Sequence, residues 1–457
     1  MHLELETIEN IPVLLENREF SQLKSIISEM NAADLAPIIA ELPEKKVAIF
    51  FRLLPKDLAA ETFVEMDSDM QEDLIRTFSD TELREVFNEL YLDDTVDILE
   101  EMPASVVKRI LKNTDRETRH VINELLQYPE DSAGSIMTTE YVRLNSSLTV
   151  AEALSVIRRS GIDKETIYTC YVTDNNRVVT GIVTARMLLI SSPEKEISEI
   201  MVTNVITAKT TDDKESVASA LQKYDFLALP VVDEEDRLVG IVTIDDAVDV
   251  LQEETTEDIE KMAAITPTEK PYLKMSAWGL FLSRIPWLLL LMISATFTGM
   301  IITGFEDALS GMVILTAYIP MLMGTGGNSG SQSSVTIIRA LSLEELKLSD
   351  LPRVVWKEIR TAVLCGIVLA VACFFKIWFL DKMLLGNADI TFSVDLVVCL
   401  ALFLTVLSAK IVGAVLPLIA QAIKLDPAVM ASPFITSIVD ALSLLVYFYI
   451  ATILLKI

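Results

Sequence analysis

Three places in this chain carry groups that could handle a cation. The first is Asp440, inside the apolar segment Pro433–Leu455. An ionisable side chain at that depth of a bilayer costs at least ~3 kcal/mol, so its presence demands a use. It either faces an ion or pairs with Lys410 on the preceding apolar segment. Lys410 stands nearer a membrane end, where it can snorkel, and this favours the ion. The second place is an acidic run. From Asp245 to Glu260, sixteen residues hold eight acids and no base. Asp246, Asp249, Glu253 and Glu257 step by 3, 4 and 4 and so share one helix face. Like charges at that spacing weaken a bare helix, and a solvated acidic face is the ordinary meaning of such a run. Here the run lies between an α/β domain and the first apolar span, and clustered hard oxygens suit Mg²⁺ or Ca²⁺. The third place is Pro320-Met-Leu-Met-Gly-Thr-Gly-Gly-Asn-Ser-Gly. Gly324, Gly326 and Gly327 are expected to interrupt a helix. Backbone freed at membrane depth is tolerated only inside protein or along a water-filled path, which puts Gly327 and Asn328 on an expected ion path. A nucleotide-binding Walker loop would need Gly-Lys-Ser/Thr, and no Lys follows. Asp426 precedes Pro427 and reads as an N-cap, with a lesser role as an ion attractor near the mouth of the path.

These groups need spans to hold them. Ile285–Phe305 gives 21 uncharged residues and Ala308–Ile338 another 31. Thr361–Leu380, Val394–Leu416 and Pro433–Leu455 are three further candidates, each near the roughly 20 residues that cross a bilayer core. Lys376 is expected to snorkel from one end of the third. Five spans place the termini on opposite sides. The 339–360 loop carries five bases, and the links 306–307 and 381–393 carry one between them, so that loop and the N-terminal domains are expected in the cytoplasm. The start, MHLELETIEN, lacks the basic and apolar regions of a signal peptide.

The charge is unevenly spread. Of 66 acidic and 38 basic residues, 11 and 12 lie from Pro271 onward, which leaves 55 acids against 26 bases in the first 270 residues. A net charge of −28 repels phosphate, so no nucleic-acid partner is expected, and a small cation is. Two His and four scattered Cys argue against zinc, copper or a disulfide framework.

Residues 1–130 read as short helices punctuated at Leu42-Pro43, Leu54-Pro55 and Met102-Pro103, each Pro suiting the first turn of the next helix. Stacked helices of this kind suggest a small superhelix. Residues 131–197 and 198–252 are two similar units. Gly181-Ile-Val-Thr in the first answers to Gly240-Ile-Val-Thr in the second, 59 residues on. The β-α-β-β-α order looks like a tandem pair of CBS domains. Residues 253–271 are expected to form an acidic connecting helix and a linker, and 272–457 a transmembrane domain. The fold class is thus a multidomain α-helical integral membrane protein: helical superhelix, tandem α/β CBS pair, acidic connecting helix and five transmembrane helices.

Taken together, this order of domains, GTGGNSGSQ, and LPLIAQAIKLDPAVMASPFITSIVDALSLLVYF resemble the MgtE magnesium transporters over nearly the whole chain. The resemblance implies a homodimeric, non-enzymatic, Mg²⁺-selective channel of the cell membrane, closed by cytosolic Mg²⁺. It implies a carboxylate on the last helix facing the hydrated ion, here Asp440, with Thr436 one turn earlier offering its carbonyl. It implies that Gly327 and Asn328 line the pore. Regulatory Mg²⁺ would lie at Asp246, Asp249, Glu254, Glu257 and Asp258, with Asp93 and Asp97 on the N domain. Some relatives also bind ATP, so an adenine nucleotide at the CBS pair is a further implied partner. A secondary carrier would use the same groups with alternating access. A pump is disfavoured, with no Walker motif and no Asp-Lys-Thr-Gly, and a receptor would need neither Asp440 nor the glycine run.

Overall fold

The Leu-Pro and Met-Pro steps do mark helix starts near the N-terminus, with each proline standing just ahead of the expected first turn. Pro43, Pro55 and Pro103 are N-caps of Glu44–Phe51, Lys56–Val64 and Ala104–Asn113, with φ between −54° and −58°. The computed structural model describes residues 10–161, 164–268, 270, 272–343, 345–387, 389–430 and 432–456. It divides into two compact units, Met1–Leu251 and Gln252–Ile457. In the first, short helices follow one another from 10–16 to Arg116–Leu125. Asn31, Asp67, Ser79 and Asp115 cap four of them by accepting backbone N–H bonds. Helices of eight to ten residues are marginal alone, and their apolar faces meet in one core with Phe50, Phe63, Leu74 and Ile75 at its centre. The helix that carries Asp93 and Asp97 is α1 (Leu92–Glu101).

Two three-stranded sheets follow. The first holds β1 (Tyr141–Asn145), β2 (Thr166–Thr173) and β3 (Val179–Thr184); the second holds β4 (Ala208–Lys209), β5 (Ala228–Val232) and β6 (Leu238–Thr243). In each, the first pairing is parallel across a helix and the second antiparallel across a tight turn. The duplication read from the paired GIVT strands is therefore present as two equivalent sheets. Their lead-in segments are exchanged. Thr138 pairs with Ile241 on β6, and Val202 pairs with Ile182 on β3. Gly181 and Gly240 allow this: a methyl on either would fall 2.7 or 2.6 Å from the sulfur of Met201 or Met137.

The boundary between the units falls within α2 (Ile244–Met262). The second unit is built from α3 (Ala277–Gly304), α4 (Ile319–Ser342), α5 (Leu351–Phe375), α6 (Phe392–Ala422) and α7 (Ser432–Leu455). Among the described residues four helices are long and apolar enough to cross a membrane: α3, Leu348–Leu384, α6 and Pro427–Leu455. The fifth long helix, α4, is diluted by Gly, Ser, Asn and Gln and is largely covered by α6 and α7. The outer faces of α3 and α5 are apolar and exposed, as at Leu288, Phe297, Leu364 and Val368, which is the surface a lipid phase would cover.

The expected second span needs correction in two respects. Ala308–Ile338 is not one helix: the stretch Glu306–Gly311 and a 3₁₀ turn, Val313–Tyr318, precede α4. The glycine run does not break the helix, since α4 continues from Ile319 through Gly324, Gly326, Gly327 and Gly330 to Ser342. Helix propensity disfavours each glycine by about 1 kcal/mol, but tertiary packing requires Gly326, Gly327 and Gly330, while Gly324 has open space around it. A methyl at Gly326 would meet Ser443 and Thr405 at 2.7 Å, one at Gly327 would meet Thr436 at 2.9 Å, and one at Gly330 would meet Ile435 at 2.9 Å. Gly413 of α6 in turn lies on the Gly330 carbonyl. The run is a seam for close helix approach.

Candidate functional site

Within the membrane unit, the glycine seam brings α4 onto α7 at Ile435, Thr436, Val439 and Ser443. Thr436 and Asp440 are one turn apart on α7. Asp440 is half-buried, and its Oδ1 is buried with no hydrogen-bond partner among the described residues. A desolvated carboxylate oxygen left so is a standing attraction for a cation or a donor. Asn328 and Gly324 lie one turn apart on a face of α4 that the chain leaves exposed, while Gly327 is buried against Thr436.

The alternative partner of Asp440 lies elsewhere. Lys410 does not snorkel: it is 5% exposed. Its ammonium donates to Ser333 Oγ at 3.4 Å, and Ser333 Oγ donates to Glu358 Oε2 at 2.7 Å. Among the described residues no ion pair joins Lys410 to Asp440. Lys376, also expected to snorkel, is held by Asp381 Oδ2 at 2.7 Å. Asp426 behaves as the cap its sequence indicates, accepting from the Ala428 N–H at 2.8 Å. It also takes an ion pair of 2.7 Å from Lys261 of α2.

The acidic run does not act as one cluster. Toward the C-terminal end of α2, Lys261 bonds Glu257 at 2.8 Å as well as Asp426. Asp258 accepts from Ser342 Oγ at 3.1 Å. Burial raises the Asp258 carboxyl above its usual range, Asp426 and Glu257 add to the rise, and Ser342 and Lys261 oppose it. Met262 packs beside Ile338 and Ala428. Glu254 is half-buried.

At the other end of α2, Asp246 faces acids of the first unit. Burial raises Asp93, itself 5% exposed, well above the carboxylate range, and Asp246, Glu165 and Asp94 add repulsion. Asp246 is bonded to Thr243, yet burial and Asp245 still push it up to about 6. Burial and repulsion from Asp246 push Asp94 to about 7 and Glu165 to about 8. Asp249 is raised by burial and by Asp245, and Asp97 is exposed one turn beyond Asp93. Among the described residues no three of these side chains converge as a ready metal cage. The donor set is all carboxylate, as a hydrated Mg²⁺ prefers. Sequence reasoning missed Asp94 and Glu165, and also Glu140, whose charge adds to the rise at both. The charge of Asp94 was visible beside Asp93, but nothing in the spacing brings Glu165 to α2.

Comparison with known proteins supplies independent evidence. A family model described as a divalent cation transporter, MgtE, matches residues 319–450. The MgtE intracellular N domain matches 13–131, and CBS domains match 133–193 and 197–253. The magnesium transporter MgtE of Thermus thermophilus is 37% identical over 446 residues, covering 97% of both chains. That of Bacillus subtilis is 35% identical over 453 residues, covering 98% of this chain and 97% of the relative. A crystal structure of the cytosolic domain of the Mg²⁺ channel MgtE in complex with ATP covers 53% of this chain and 99% of its own, at 37% identity and a TM-score of 0.51.

Proposed function

From the premise that the chain belongs to the MgtE family of magnesium transporters, a non-enzymatic membrane family, we propose that it is a Mg²⁺ channel closed by cytosolic Mg²⁺. Two copies pair in the cell membrane with their N-terminal domains in the cytoplasm. Asp440 from each copy holds one ion through its water shell, because Mg²⁺ gives up water reluctantly. Thr436 and Asn328 contact the same shell, and Gly327 lets α4 approach close enough for this. The observation that supports the reading is the buried, unpartnered Oδ1 of Asp440 beside the glycine seam. Asp426 attracts the ion at the cytoplasmic mouth only once Lys261 leaves it.

Closure follows from repulsion. Asp93, Asp94, Glu165 and Asp246 resist close packing until a divalent cation screens them. Mg²⁺ bound there, with further ions at Asp97, Asp249, Glu254, Glu257 and Asp258, favours the closed arrangement by its differential affinity. An adenine nucleotide binds the CBS pair, as the ATP-bound relative suggests. The test is Mg²⁺ flux into liposomes holding only this protein, paired with single-channel recording. Stepwise unitary currents support a channel. Flux without unitary currents indicates a carrier, and no flux at all indicates a receptor.

A further inference from the structure

We propose that Ser333 and Glu358 are positioning residues for transport: they hold the Lys410 ammonium away from Asp440 and so keep that carboxylate free for the passing cation. The proposal rests on the reading of Asp440 as the ion-facing group.

Lys410 and Asp440 stand on neighbouring helices. Ala409 of α6 shares one apolar cluster with Ile435 and Val439 of α7, which puts Lys410 and Asp440 within about two turns of one another along this antiparallel pair. At that separation a long lysine side chain could turn toward the carboxylate, and an unpaired buried charge draws an opposite one. The two do not pair. Lys410 instead turns toward α4 and donates to Ser333, which is 3% exposed and in turn donates to Glu358 of α5. The relay gives the ammonium a carboxylate at one remove. Asp440 Oδ1 is left without a partner among the described residues.

Two arrangements of one lysine therefore compete. In the observed one, the positive charge is drawn to α5 and the pore carboxylate stays negative. In the other, Lys410 neutralises Asp440, takes the place of the transported cation and repels the next one. The charge on Glu358 biases the choice, and Ser333 transmits it. This is a coupling between residues, and a double-mutant cycle reads such a coupling directly.

The experiment is Mg²⁺ flux into liposomes by the purified full-length protein, with expression and size-exclusion elution as the check on folding. E358Q should lower flux about tenfold, and in the K410M background the same change should alter flux less than about twofold. S333A should act in the same direction as E358Q with a smaller loss, and it carries the test if E358Q does not fold. An equal loss on E358Q with and without K410M would mean that Glu358 acts only in packing, and would overturn the proposal, as would unchanged flux in E358Q. D440N is measured alongside. If D440N keeps wild-type flux, the ion-facing reading fails. If D440N loses flux while E358Q is inert, only the role of the relay fails.

Discussion

Asp440 and Asp93 are both carboxylates withdrawn from water, but their surroundings differ. Asp440 has no acid beside it among the described residues, and its Oδ1 is desolvated by apolar helices. Asp93 is buried within range of Asp94, Glu165 and Asp246. The first arrangement holds one charge at fixed depth and suits an ion that passes. The second stores repulsion among several charges and suits an ion that stays until its concentration falls. The difference is one of number and wiring, because the chemical group is the same. Neutralising the lone group should remove transport, and neutralising the crowded ones should remove control.

The largest effect is expected from D440N. Mg²⁺ flux should fall by two orders of magnitude or more, on the order of the ~3 kcal/mol associated with a charge at that depth, while elution and expression stay normal. Wild-type flux in this variant would erase the distinction between the two regions. Next is G327V. Its side chain meets Thr436 within 2.9 Å of the first added carbon, so flux should be blocked by displacement of α4 or α7. A cysteine in place of Asn328 should nonetheless be labelled by aqueous thiol reagents, because that position is exposed. Complete protection would argue against a wet path there.

The third prediction isolates control. Neutralising Asp246, Asp249, Glu254, Glu257 and Asp258 together should leave flux intact and remove inhibition by cytosolic Mg²⁺. Mg²⁺-dependent protection from protease should be lost with it. The division of α2 sharpens this further. D246N with D93N should weaken the response by relieving repulsion in the first unit, whereas E257Q with D258N should act at Lys261, Asp426 and Ser342. If both pairs shift the half-maximal Mg²⁺ equally and additively, the two ends of α2 report independent sites.

The smallest effect concerns pH. Glu165, Asp94 and Asp246 titrate near 8, 7 and 6 in the folded chain, above the usual carboxylate range. The folded state then binds more protons than the unfolded one. The stability they confer is complete below the ordinary carboxylate range and is lost as pH rises through about 6 to 8. Without Mg²⁺, proteolysis of the first unit in the full-length protein should therefore be slower at pH 6 than at pH 8. Saturating Mg²⁺ should shrink that difference. An unchanged or reversed pH effect would show that these acids do not repel one another in the folded chain.

Much of this was legible from spacing. Asp440 stood out because a charge interrupts an apolar run, and the CBS pair because one motif recurs at a fixed interval. Long-range packing was not legible. The glycine run reads as a helix breaker until Thr405, Thr436 and Ser443 fill the space that side chains at Gly326 and Gly327 would occupy. Lys410 reads as a snorkelling residue because Ser333 and Glu358, on two other helices, are far away in sequence. The acidic run reads as one surface because its helical phase is regular. What splits it is the identity of its neighbours, Asp93 and Glu165 at one end and Asp426 at the other.

The exchanged lead-in strands of the CBS pair bear on how the chain can be made. Thr138 finds its partner at Ile241, and Ile182 finds its partner at Val202. The early segment must therefore wait for about a hundred further residues before its pairing can close, a non-local contact of the kind that slows folding. During synthesis the first repeat leaves the ribosome carrying the segment that completes the second sheet, and without the Val202 segment that completes its own. A chain cut between the repeats would leave both sheets with open edges, which invite pairing with other molecules. The tandem pair thus folds and unfolds as a single piece.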